Sequence, residues 1–272
     1  MIKIVDIDGL FEEYISSFVK ENIGKIKPEE IENEIPVLYE KFGKETLKEL
    51  DGKTPETYYK DFSAEELVFA LIEHIKSGVS VSDFLCEEIT KKDTETLLLE
   101  KLESEENEEF TVYAMNILND KKSLKALDKY LEIVEWDYPE TVKEIATEFL
   151  CENAEKVKDK ILGGWSEYSV KAKYYFCEVL SNTSGDERVL AILLEQFAIH
   201  ADELPLYASY LAKFGDDKAL PFLYTAIENE KLNYHEFEEL RFAIESLGGT
   251  YDKKRDFTKD KLYKKIKGIE EN

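Results

Sequence analysis

Turn residues recur along this chain at a nearly constant interval. Asn119-Asp120, Asn153, Gly185-Asp186, Gly215-Asp216 and Gly248-Gly249 follow one another at spacings of 34, 32, 30 and 33 residues. Between them apolar residues return at i, i+3, i+4 and i+7, as in Val142, Ile145, Ala146 and Phe149. That spacing lines one face of an α-helix. Eight residues past each of the first four turns stands a large aliphatic residue: Leu127, Ile161, Leu193 and Leu223. The unit is therefore helix, tight turn, helix, with a period of about 32 residues. A hairpin this small cannot bury its own apolar face, so successive units must share a core.

The first 92 residues do not keep this interval. Their periodicity predicts helices near 9–22, 28–43, 54–61, 63–77 and 82–91, with Pro36 kinking or splitting the second. Ser63-Ala-Glu-Glu66 has capping-box spacing, and Thr54-Pro55-Glu56 puts proline at a first helical position, as do Pro28 and Pro139. Leu50-Asp51-Gly52-Lys53 marks a turn. Strand signals are almost absent, so the chain reads as all-α. Its organisation reads as a helical N-terminal cap or subdomain (1–92), a repeat region (93–250) and a basic C-terminal capping segment (251–272).

Leu206-Tyr-Ala-Ser-Tyr-Leu-Ala-Lys-Phe-Gly-Asp-Asp-Lys-Ala-Leu-Pro-Phe-Leu-Tyr-Thr-Ala-Ile227 resembles a HEAT repeat of the short type seen in bilin-lyase-like proteins. It shares an Ala/Leu-rich first helix, a Gly-Asp turn, and Ala-Leu-Pro-x-Leu opening the second helix. The Ala172–Leu194 stretch is similar through Gly185-Asp186. The resemblance implies an α-α superhelix, a HEAT-like solenoid whose second helices line a concave face. Two enzyme types on such folds are the bilin lyases and a helical-repeat DNA glycosylase. The glycosylase needs a basic cleft for a duplex, and no residues here specify a tetrapyrrole pocket.

Charge narrows the partners. With 60 acids against 36 Lys and Arg the formal net charge is −24. Lys253–Lys267 carries eight basic residues against two acids, a local +6 that leaves −30 for the remainder. This basic end is expected to dock on the acidic body. An acidic surface repels nucleic acid and anionic bilayers, so neither is expected as a partner; a basic protein or peptide is. No run of 18 apolar residues suits a membrane span, and Met1–Asp8 carries acids where a signal peptide needs a longer apolar stretch. Cys86, Cys151 and Cys177 are odd in number, widely spaced and set among apolar residues, so they read as buried free thiols in a cytoplasmic protein.

Catalytic patterns are sparse. His74, His200 and His235 are far apart, and neither His-Glu-x-x-His nor Cys-x-x-Cys occurs. Asp6-Ile-Asp8-Gly9 matches a calcium loop too briefly to hold the ion. No metal or cofactor is expected. The two tryptophans sit in related settings, Trp136-Asp-Tyr138 and Trp165-Ser-Glu-Tyr168, where one hairpin hands over to the next. Their rings either plug the seams between hairpins or form an aromatic ledge. With Tyr175 and Tyr224 they complete the candidate binding residues: Trp136, Tyr138, Trp165, Tyr168, Tyr175 and Tyr224. The expected role is an interaction or scaffold module presenting an acidic, Tyr-rich surface to a basic protein or peptide. The alternatives are an antitoxin-like inhibitor acting by charge mimicry, and a small-molecule enzyme with a site where the cap meets the first hairpins.

Overall fold

The structure, a computed structural model, describes residues 3–22, 28–105 and 107–268. All regular elements among the described residues are helical. The chain forms two compact units, 1–129 and 130–272, divided inside α8 (Leu127–Glu135).

The first unit holds α1 (Ile7–Asn22), α2 (Pro28–Phe42), α3 (Pro55–Tyr58), α4 (Ala64–Lys76), α5 (Asp83–Lys91), α6 (Glu95–Ser104) and α7 (Glu108–Asp120). Asp6 opens α1: its Oδ1 accepts the Gly9 N–H at 2.8 Å, so the Asp6–Asp8 pair belongs to a helix start. Of the two outcomes expected at Pro36, a kink or a split, the split does not occur: α2 runs through it from Pro28 to Phe42. Residues 32–37 face solvent, so water can reach the Glu32 carbonyl that the proline leaves without an N–H partner. The capping box of α4 forms as read, with the Glu66 N–H on Ser63 Oγ at 3.2 Å and the Ser63 N–H on Glu66 Oε2 at 2.8 Å.

Helix α4 packs on α5, α6 and α7, and these four helices bury Leu71, Leu85, Leu98 and Met115. Each contributes roughly 1.5–3 kcal/mol through the apolar surface it removes from water. Lys121 closes the far end of α5, its Nζ donating to the Thr90 and Lys92 carbonyls at 2.7 Å. Buried His74 is spent on structure: Nδ1 meets the Ser80 carbonyl at 2.8 Å and Nε2 the Tyr59 hydroxyl at 3.4 Å.

The second unit continues through α9 (Glu140–Glu152), α10 (Ala154–Gly164), α11 (Val170–Ser181), α12 (Glu187–Ile199), α13 (Leu204–Phe214), α14 (Leu220–Ile227), α15 (Tyr234–Ser246) and α16 (Lys261–Lys267). Every second helix returns to one row: α9 packs on α11, α11 on α13 and α13 on α15. Helices α10, α12 and α14 each pack on a chain neighbour in that row. Polar ties repeat from hairpin to hairpin. Arg188 reaches Asp159, Lys218 reaches Glu187 and the Ser184 N–H reaches Glu155, across separations of 29, 31 and 29 residues. These separations sit close to the interval between turns, and the aliphatics placed by the same interval, Leu127, Ile161, Leu193 and Leu223, are all buried.

Several sequence expectations need correction. Trp136 does not plug a seam: it lies in the α8–α9 connection, 60% exposed. The residue beside the seam that does pack is Tyr168, against Phe176 at 4.6 Å. Only Cys177 of the three free cysteines is fully buried; Cys86 and Cys151 are half-buried. The basic end docks in part. Lys253 pairs with Glu228 at 2.6 Å, and Arg255 donates to the Ile227 and Asn229 carbonyls while lying over the Phe237 ring. The lysines from Lys259 to Lys267 make no ion pair among the described residues. No helix among the described residues is long and apolar enough to cross a membrane.

Candidate interaction surface

The surface of interest begins with the spacing of acids on α9. Glu140, Glu144, Glu148 and Glu152 stand at successive i, i+4 positions, one above the other on a single helix face. The first of them is neutralised: Glu140 pairs with Lys171 at 3.2 Å and accepts the Tyr175 hydroxyl. Glu144, Glu148 and Glu152 have no ion-pair partner among the described residues. Two like-charge pairs at this spacing oppose the helix by roughly 0.2–0.5 kcal/mol each. The last turn of α9 contains no basic residue, so Glu148 and Glu152 also face the negative end of the helix dipole. Stability alone does not select this arrangement.

The ridge forms one wall of a groove of about 480 Å³. Thr147 and Cys151 of α9, Tyr175 and Glu178 of α11, Asn182 just past its end, and Lys213 of α13, the sole basic lining residue, complete the lining. The row packing of α9, α11 and α13 thus brings helices from successive hairpins to one surface. Tyr175 is part of its lining, and two further tyrosines feel the charge of Glu178. Burial raises the Tyr175 hydroxyl above its ordinary range, and its bond to Glu140 adds to this. Glu140 is correspondingly held below the usual carboxylate range by Tyr175 first and Lys171 second. Burial likewise raises Tyr174 and Tyr210, with Glu178 adding to both. Tyr174 and Tyr175 meet edge to face at 5.4 Å.

Burial pushes the Cys151 thiol up to about 12, and Glu178 adds to the shift. At neutral pH it is a protonated thiol, a poor nucleophile. No group of three or more His, Cys, Asp or Glu among the described residues is arranged to hold a metal ion. What the groove offers is a line of hydrogen-bond acceptors and negative charge beside aromatic edges.

Of the six candidate binding residues, Tyr175 alone lines this groove. Trp136 and Tyr138 lie in the α8–α9 connection, and Trp165 and Tyr168 between α10 and α11. Lys173 sits over the Trp165 ring at 5.5 Å. Tyr224 on α14 is engaged internally, its hydroxyl bonding both the N–H and the carbonyl of Thr250 at 3.1 Å. Gly249 permits that approach, since a Cβ there would lie 2.6 Å from the same hydroxyl. The α9 ridge is not among the residues that sequence reasoning singles out. Its signal, four glutamates at i, i+4 without an interleaved lysine row, is present in the sequence but hidden among 60 acids.

No family model, curated protein or solved structure matches this chain.

Proposed function

We propose that the protein is a binding module whose α9–α11–α13 groove takes up a basic segment of another protein or peptide. The observation that carries this reading is the unneutralised ridge of Glu144, Glu148 and Glu152, with Glu178 beside it. Bound Lys or Arg side chains would relieve the like-charge contacts, and tyrosine edges would pack against their aliphatic stems. The row of α9, α11, α13 and α15 and the hairpin-to-hairpin ties near the turn interval support a HEAT-like repeat as the scaffold. The free cysteines fit a cytoplasmic setting.

The test is a pull-down from native lysate at low salt, eluted by a salt gradient, with Glu144→Gln/Glu148→Gln/Glu152→Gln run in parallel. The proposal expects a basic protein retained by the native chain, released as salt rises, and lost from the triple variant. Equal retention by both chains would remove the groove from the account.

A further inference from the structure

Two open surfaces near the C-terminal end of the second unit complement each other. The first is an apolar groove of about 770 Å³ between α12, α13 and α14, lined also by Glu236 in the first turn of α15. Phe197, Leu204 and Leu232 form its base, and Phe222 stands 48% exposed on its wall. Acids surround it. Glu236 is part of the lining, Asp202 and Glu203 lie between the lining residues Ala201 and Leu204, and Glu230 lies between Asn229 and Lys231. Lys231 is the one basic lining residue.

The second surface is α16. Leu262 and Ile266, one turn apart, are 40% and 59% exposed. Lys261 and Lys265 form a parallel row beside them. Neither lysine has an ion-pair partner among the described residues. A short helix with an apolar i, i+4 pair and a basic flank suits an apolar groove with an acidic rim.

Both surfaces hang on the same turn. Glu236 lines the groove, while two residues earlier Tyr234 holds α16: its N–H donates to Asp260 at 3.0 Å and its ring meets Tyr263 at 5.1 Å. A helix and its complementary groove side by side on one chain meet the condition for a two-fold interface, in which each copy gives and receives the same contact. We propose that the protein forms such a dimer, α16 of each copy laying Leu262 and Ile266 into the α12–α14 groove of the other. Lys261 and Lys265 then face the Asp202, Glu203, Glu230 and Glu236 rim. The net charge of −24 on each copy opposes association. At physiological salt that repulsion is screened beyond about 8 Å, so the local contacts decide.

Sedimentation equilibrium of the full chain across the micromolar range tests this. The mass is expected to rise with concentration from 31.6 kDa toward twice that value. Leu262→Glu/Ile266→Glu and Phe222→Glu should each weaken the dimer at least tenfold. Lys261→Glu/Lys265→Glu should weaken it with an intact apolar stripe. Phe222, Leu262 and Ile266 are exposed, and circular dichroism should show unchanged helicity. Glu144→Gln/Glu148→Gln/Glu152→Gln should dimerise as the native chain does, which separates this interface from the α9 groove. A chain that stays monomeric throughout, or a dimer indifferent to all three α14 and α16 variants, would overturn the proposal.

Discussion

Acids behave differently on two sides of the second unit. At the hairpin turns they are interlocked with cations. Lys158 bridges Glu155 and Asp186 at 2.7 and 3.7 Å, Arg188 reaches Asp186 and Asp159 at 2.7 and 2.8 Å, and Lys218 reaches Glu187 at 2.7 Å. Along α9 and into the groove, Glu144, Glu148, Glu152 and Glu178 have no such partners among the described residues. The net charge is therefore not a uniform coat. Where hairpins must stay in register, charge is paired across them; where a groove opens, it is left unpaired. The first arrangement serves the fold, and the second costs the fold a little and is available to a partner.

The sharpest way to break this contrast is charge reversal. Glu144→Lys/Glu148→Lys/Glu152→Lys should lower affinity for a basic partner by more than about 100-fold, roughly 2.7 kcal/mol, in calorimetric titration. The same variant places cations in the last turn of α9, where they complement the helix dipole, and exchanges Glu–Glu for Lys–Lys neighbours at i, i+4. Its denaturant midpoint should not fall, and a gain of about 0.5 kcal/mol is expected from the dipole alone. At the turns the signs exchange. Asp186→Ala removes the α12 N-cap, whose carboxylate accepts the Arg188 N–H at 3.0 Å. It should cost about 1 kcal/mol of stability in urea unfolding and leave partner affinity unchanged.

Acid titration sharpens the same division. Hydrogen bonds from Arg188 hold Asp186 well below the ordinary carboxylate range, and Lys158 lowers Glu155. A depressed folded-state value means the stabilisation is present above the unfolded value and is lost as pH falls through the folded one. Stability should therefore decline below about pH 4, and Asp186→Ala should flatten that decline in urea midpoints measured stepwise from pH 7 to 3. The smallest effect belongs to Tyr175→Phe. Losing the bond to Glu140 should cost about 0.5 kcal/mol and leave the groove's acids in place.

Much of the scaffold is legible in the sequence because helix signals are local. Ser63 and Glu66 specify the start of α4 by themselves, and the turn at Gly215, φ +80°, follows from a glycine where few other residues are tolerated. Period does the same for Ile161, Leu193 and Leu223, whose burial repeats with the turns. Pro36 leaves α2 unsplit where residues 32–37 face water, and sequence alone does not say which side of the helix that is. Trp136 is open to two readings, and its exposure excludes the seam plug, a choice that residue type does not settle without the position of the seam. The α9 ridge depends on which cations come near it in space, from α11 and α13, and no spacing within α9 states that. Lys253 and Lys265 look alike in sequence; one meets Glu228 and the other has no ion pair among the described residues.

Location against total charge is the central question, and one titration isolates it. A helical Lys/Arg-rich peptide is titrated at low salt into the native chain and into two variants, each three charges less acidic. One carries Glu144→Gln/Glu148→Gln/Glu152→Gln, the other Glu155→Gln/Asp159→Asn/Glu187→Gln at the hairpin turns. Binding is expected to weaken at least tenfold for the first and to change less than twofold for the second. Equal losses in both would show that the peptide responds to net charge alone, and the groove would have no special standing.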